Sequence, residues 1–220
     1  MKGVSFTLAP GFSALLGPNG AGKSTLFALL TRLFTAPGAD IQIAGHDLNK
    51  TPRKALAALG VVFQQSTLDL DLTVRQSLKY FAALHGVRGA DAAARINAAL
   101  DRLDIADRAT EKVRKLNGGH RRRTEIARVL LHDPQVLLLD EPTVGLDAAS
   151  RAAITHYVHA LAEDGMTVLW ATHLTDEIAE DDNLLILHQG EFIAEGRTGD
   201  VAVARSLKEH FVSVTGGDAP

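Results

Sequence analysis

Nine consecutive residues have the types and spacing of a phosphate cradle: Gly17-Pro18-Asn19-Gly20-Ala21-Gly22-Lys23-Ser24-Thr25. They fit G-x-x-x-x-G-K-[ST] at every fixed position. Glycines let successive backbone N–H groups turn into one concave nest. A helix starting near Gly22 adds its free N–H groups and the positive end of its dipole. Lys23 supplies a mobile point charge for the β- and γ-phosphates, and the Ser24 hydroxyl suits Mg²⁺. By itself the motif means nucleotide binding and no more, because kinases, GTPases, helicases and transport ATPases share it.

Further reactive side chains stand at the ends of apolar runs. Val136-Leu137-Leu138-Leu139 leads into Asp140 and Glu141. That pattern reads as a buried parallel strand whose carboxyl end, where ligands sit in open α/β sheets, carries two acids. Gly60-Val61-Val62-Phe63 ends at Gln64 and Gln65, and Val168-Leu169-Trp170-Ala171 ends at Thr172-His173. Leu116-Asn117-Gly118-Gly119-His120 precedes a helix read from Arg121 to Leu131. Arg121-Arg122-Arg123 reads as the charged first turns of that helix rather than as a nucleic-acid patch. His156 and His159 sit one helical turn apart without a third ligand candidate, so zinc is not expected.

The elements that must position these groups follow from periodicity. Phe12, Ala14, Leu15 and Leu16 form the strand before the phosphate loop, and Leu26, Leu29, Leu30 and Leu33 recur at helical spacing after it. Val4, Phe6 and Leu8 alternate as in a strand. Ile41 and Ile43, between Pro37-Gly38 and Gly45, predict a small antiparallel β piece, and Pro52 to Leu59 a short helix. From Thr73 the pattern is helical for some sixty residues. Val74, Leu78, Phe81 and Leu84 share one face, and Ala92, Ile96, Leu100 and Leu103 another. Ala152 to Leu161 is expected as a helix. Leu184 to Leu187 is expected as the last core strand, with Glu191 to Ala194 as its hairpin partner and Gly216 to Pro220 as a frayed end. The fold class is therefore α/β: a single domain over 1–220, with a nucleotide-binding core in 1–68 and 133–205. An inserted α-helical subdomain covers 69–132, and a C-terminal tail 206–220.

Composition narrows the classes. The chain has 220 residues, of which 46% are hydrophobic, enough for a sizeable core. Net charge is −3, which gives no basis for bulk binding to nucleic acid or to an anionic membrane. There is no cysteine, hence no disulfide framework. No apolar run is long enough to span a bilayer, and the N-terminus does not read as a signal peptide. The chain is expected to be soluble and to work at a membrane only through a partner.

With these segments in order, the chain resembles the ATP-binding subunit of an ABC transporter over nearly its whole length. Gly17 to Thr25 is similar to the Walker A loop, Gln64 to the Q-loop glutamine and Leu116 to His120 to the LSGGQ segment. Val136 to Glu141 is similar to Walker B with its adjacent glutamate, Gly145-Leu146-Asp147 to the D-loop, and His173 to the switch histidine. The resemblance implies a P-loop NTPase with a RecA-like parallel sheet core. It implies ATP and Mg²⁺, the metal held by Ser24, Gln64 and Asp140, with Glu141 polarising the attacking water and His173 ordering the γ-phosphate. It further implies a head-to-tail homodimer in which Asn117, Gly118, Gly119 and Asp147 reach the partner's ATP. Asp69 to Gly86 looks like exporter-type subunits, whose helical subdomain docks on a separate integral-membrane subunit at the cytoplasmic face of the cell membrane. The Asn117 to Arg123 run is also similar to ATPase subunits associated with quinoprotein alcohol oxidation. The alternative is a soluble ABC ATPase acting on nucleic acid or ribosomes. It is disfavoured because no second ATPase domain, long coiled coil or basic tail is visible.

Three departures stand out. Asn117 and His120 replace the usual Ser and Gln. The aromatic residue that stacks on adenine in relatives has no counterpart upstream of the loop, so either the natural start lies further upstream or adenine is held by something else, and base selectivity should be weakened. Phe12 stands where polar residues are common.

Overall fold

The apolar runs pair into one sheet because each alternates its side chains between two buried faces. The computed structural model describes residues 1–202 and 206–216. Strands β1 (Gly11–Leu16), β4 (Leu59–Val62), β5 (Val136–Asp140), β6 (Thr167–Thr172), β7 (Asn183–His188) and β8 (Glu191–Arg197) form a six-stranded sheet. Its order is β4-β5-β6-β1-β7-β8, parallel except for the β7–β8 hairpin. Two short antiparallel strands, β2 (Gln42–Ile43) and β3 (His46–Asp47), stand apart.

Both faces of the sheet are covered, as a parallel sheet requires. On one face Phe12, Leu137, Leu139, Val168, Trp170, Leu184 and Ile186 share a core with the helical region. On the other, Leu15, Leu138, Leu169, Leu185 and Leu187 pack with α1 (Lys23–Leu30), α2 (Pro52–Ala57) and Ile43. The first face receives α3 (Val74–Leu84), α4 (Gly89–Arg102), α5 (Gly118–Leu130) and α6 (Ala148–Glu163). Thr73 starts α3 with a complete capping box to Gln76, a device of about 1 kcal/mol. Thr198–Val201 forms the short α7, and α8 (Leu207–Thr215) buries Phe211 in the same core.

Several expectations are corrected. Val4, Phe6 and Leu8 do alternate inward, but the segment pairs with no strand; its partly buried side chains rest on the second core. Helix α1 stops at Leu30, because Arg32 turns left-handed (φ 58°) and the Thr31 hydroxyl donates back to Phe27 O at 2.7 Å. Leu33, read as part of that stripe, is therefore 66% exposed, and Phe27 takes the core position instead. Leu84 is likewise exposed at the end of α3. Helix α5 begins at Gly118 rather than Arg121, and α6 extends beyond Ala152 to Leu161 at both ends. Of the expected frayed end, Gly216 caps α8, and residues 217–220 lie outside the described residues.

Phe12 has a packing role. Its ring stacks on His159 of α6 at 3.8 Å and contacts Trp170. His159 Nδ1 lies 2.9 Å from Thr155 O and Nε2 lies 3.0 Å from both oxygens of buried Asp182. Both ring nitrogens thus face acceptors, which the doubly protonated imidazolium satisfies best. Burial pulls the His159 pKa down, but the Asp182 and Thr155 contacts outweigh it and the net shift is upward. A base with a raised folded pKa contributes stability that is full below its unfolded value, about 6.5, and is lost as pH rises through the folded value. The stability gap between wild type and His159→Gln should be widest at acid pH and narrow on going alkaline. Melting curves across pH check this; a gap independent of pH would reject it.

Candidate active site

The strand order decides the site. β4, β5, β6 and β1 are consecutive neighbours and parallel, so their carboxyl ends emerge side by side. Those ends carry Gln64, Asp140-Glu141, Thr172-His173 and Gly17. Gly17 N–H donates to Thr172 O at 3.3 Å, which ties the phosphate loop to the β6 end.

The loop from Gly17 to Gly22 feeds α1. Gly22, with φ 112°, occupies the N-cap, a conformation that other residues adopt only with strain. No side chain caps the helix, so its first-turn N–H groups remain for an anion. Ser24 and Thr25 are exposed there, while Lys23 is buried. Lys23 Nζ donates to Gly17 O at 2.6 Å and pairs with Glu141 Oε1 at 3.1 Å. Gln64 Nε2 donates to the other oxygen, Glu141 Oε2, at 3.1 Å. His173 Nδ1 lies 3.3 Å from Glu141 Oε1 without hydrogen-bond alignment. Glu141 is thus the hub that Lys23, Gln64 and His173 share. Its backbone is left-handed at φ 46°, a position that costs a non-glycine residue about 1–3 kcal/mol. The N–H of Glu141 is held by Ala171 O at 2.9 Å.

Asp140 is buried beside this hub. Burial and the Glu141 charge push its carboxyl up, against Lys23, a hydrogen bond from Ser24, and Arg122. Hard oxygen donors, a buried carboxylate and the Ser24 hydroxyl, fit a magnesium ion whose remaining ligands come from phosphate and water. A raised acid means that the ionised form is worse off folded than unfolded, so Asp140 weakens the fold above its ordinary range. Asp140→Asn should therefore raise Tm at pH 7. Calorimetry checks the sign, and a lowered Tm would overturn it.

The remaining expected residues form a second group. Asn117 is the N-cap of α5, its carboxamide oxygen accepting from His120 N at 2.8 Å. Only its NH₂ is left to donate outward. A Cβ on Gly119 would lie 2.5 Å from Ser150 Oγ, so the start of α5 approaches α6 as closely as glycine allows. Asp147 caps α6, receiving Ser150 N at 2.8 Å and Ser150 Oγ at 2.9 Å. Asn117, Gly118, Gly119 and Asp147 are thus grouped with one another, and their contacts run to Leu146 and Ser150 rather than to Lys23.

Sequence reasoning missed a buried charge network behind Gln64. Arg122, read as part of a charged first turn, points inward. Its guanidinium donates to Phe63 O at 2.7 Å, Gln64 O at 2.8 Å and Glu125 Oε2 at 2.8 Å. Glu125 Oε1 accepts from Thr67 N at 3.0 Å, and Arg128 donates to Thr67 Oγ1 and lies 4.4 Å over the Phe81 ring. The available signal was three charges at i, i+3 and i+6 on a helix otherwise apolar on that side, with Ile126, Ala127 and Val129.

The comparisons agree with this geometry. The sequence matches the ABC transporter family over residues 1–144. It is 37% identical to the linearmycin resistance ATP-binding protein LnrL of Bacillus subtilis, over 91% of this chain and 65% of that protein. It is 36% identical to the Nod factor export ATP-binding protein I of Rhizobium meliloti, over 99% of this chain and 65% of that protein. The chain thus spans just under two thirds of the length of these relatives. Among solved structures, cbiO1 from Clostridium perfringens, part of the ABC transporter complex cbiONQ, superposes with a TM-score of 0.85 at 26% identity, covering 97% of this chain and 88% of that one. A dimeric post-hydrolysis state of the ATP-binding cassette MJ0796, bound to ADP and Pi, superposes with a TM-score of 0.79 at 27% identity, covering 90% of each chain. Among the described residues no helix is long and apolar enough to cross a membrane. With its motifs in order, its sheet wound as in these cassettes and its sequence matched over most of its length, the chain belongs to the ABC transporter family as an ATP-binding domain.

Proposed function

We propose that this chain binds and hydrolyses ATP and couples that cycle to export through a separate integral-membrane subunit. The observation that carries the reading is the convergence of Gln64 and His173 on Glu141 beside Lys23, at the mouth of an uncapped helix N-terminus. The β- and γ-phosphates sit on the free N–H groups of the glycine loop and of the first turn of α1, and on Lys23. Ser24, Asp140 and Gln64 would hold Mg²⁺, which neutralises the developing phosphate charge. Glu141 accepts a proton from water as the water oxygen bonds to the γ-phosphorus. The bond from that phosphorus to the bridging oxygen breaks, and ADP keeps the electron pair. His173 holds the γ-phosphate in line.

In the closed state two copies pair head to tail. The amide NH₂ of Asn117 and the α5 N-terminus, with Gly118 and Gly119 at its first turn, face the partner's γ-phosphate, with Asp147 alongside. The core of 1–68 and 133–205 carries the nucleotide. The helical segment 69–132, with Leu70, Tyr80 and Leu84 exposed, is the docking surface for the membrane subunit. Two relatives named for resistance and for export favour the outward direction.

The test is a pull-down of tagged Glu141→Gln protein from native membranes with ATP and Mg²⁺. Recovery of a polytopic membrane protein is expected. Recovery of ribosomes or nucleic acid, or of no partner, would overturn the transport reading.

A further inference from the structure

A buried carboxylate lies behind the site, and the mechanism above does not use it. Glu177 ends a short 3₁₀ turn, Thr175–Glu177, and is only 4% exposed. Its Oε1 accepts from the Thr143 hydroxyl. Its Oε2 accepts from Trp170 Nε1 at 3.0 Å and from the Thr172 hydroxyl at 2.6 Å. The same Thr172 hydroxyl accepts from Leu174 N at 3.0 Å.

These donors come from the two segments that carry the reactive groups. Thr143 stands two residues after Glu141, in the loop leaving β5. Thr172 and Leu174 flank His173. One side chain therefore fixes the segment of Glu141 and the segment of His173 relative to each other. A carboxylate is an expensive group to bury, and an apolar side chain would fill the same space more cheaply. What it adds is direction: three donors aimed at two oxygens hold both loops in one arrangement.

We infer that Glu177 is a positioning residue for ATP hydrolysis, setting Glu141 and His173 in register through Thr143 and Thr172. The inference rests on the catalytic roles proposed above for those two residues. Thr143→Val keeps the shape and removes only the bond between the β5 loop and Glu177. It should lower kcat roughly 10- to 100-fold, the range expected when a reacting group is slightly misplaced, with KM for ATP unchanged. Thr143→Ser, which restores the hydroxyl, should recover most of the rate. Glu177→Gln should also stay near wild type, because its carbonyl oxygen can take the Trp170 and Thr172 bonds while the Thr143 hydroxyl turns to accept from its NH₂.

The experiment is steady-state ATPase measurement on the full chain for these variants beside Glu141→Gln, with melting curves to show that each is folded. Should Glu177→Gln fail to fold, the Thr143 pair decides the matter. A Thr143→Val protein with wild-type kcat, or one with a raised KM alone, would overturn the inference while leaving the ATPase reading intact. Wild-type turnover no higher than that of Glu141→Gln would instead sink the catalytic reading, and this inference with it.

Discussion

Glu141→Gln should lower ATP hydrolysis by roughly 10²- to 10⁴-fold, the usual worth of a positioned general base, and should tighten ATP binding about tenfold. The two effects have different origins. The first follows from the loss of a carboxylate that can accept the proton of the attacking water. The second is a ground-state effect, visible in the contacts of Lys23. Its ammonium is buried and pairs with Glu141 Oε1 at 3.1 Å. A γ-phosphate oxygen that takes Lys23 as partner must compete with that carboxylate and be repelled by it. Neutral glutamine keeps the shape, still meets Gln64 and removes both penalties. Titration with a fluorescent ATP analogue in EDTA isolates this binding step from turnover. Unchanged affinity would show that the Lys23–Glu141 pair does not oppose the nucleotide, and undiminished turnover would show that Glu141 is not the base.

The second large effect is structural. Glu125→Leu should destabilise the protein by about 3–5 kcal/mol, the range seen when one partner of a buried ion pair is removed. The side chains of Arg122 and Glu125 are almost wholly buried. Burial pulls the Arg122 pKa down, and Glu125 is the largest influence opposing that. Without Glu125 the guanidinium stays in the core with only the Phe63 and Gln64 carbonyls, and the Thr67 N–H loses its acceptor. Since those carbonyls fix the backbone at Gln64, hydrolysis should fall along with stability. The double replacement Arg122→Met with Glu125→Leu should cost less than Glu125→Leu alone, because no unpaired charge remains. Urea unfolding of the two variants distinguishes these costs. A loss below about 1 kcal/mol in the single variant would mean that water reaches Arg122, contrary to its burial.

These two results separate what can be read locally from what cannot. The phosphate loop was legible because all its parts are contiguous: glycines that permit the turn, a helix start and a lysine one residue inside it. The strand ending in Asp140 and Glu141 was legible for the same reason, as were the buried faces of α3 and α4, apart from Leu84. Where local pattern misled, a non-local requirement was missing. Val4, Phe6 and Leu8 alternate as a strand does, but alternation does not supply a neighbour to pair with. Leu33 continues a helical stripe, but the left-handed turn at Arg32 intervenes. Arg122 looked solvated because periodicity does not reveal that Glu125 and two carbonyls await it in the core.

Sequence by itself determined which residues could bind phosphate, hold a metal or move a proton, since those capacities belong to side-chain chemistry and to a few neighbouring dihedrals. Tertiary structure alone decided that they meet. Gln64 and Glu141, 77 residues apart, meet only because β4 pairs with β5. Lys23, Glu141 and His173 meet only because β6 lies between β5 and β1. Strand order is set by which buried faces and crossovers fit best across the whole sheet, and no window of sequence contains that information.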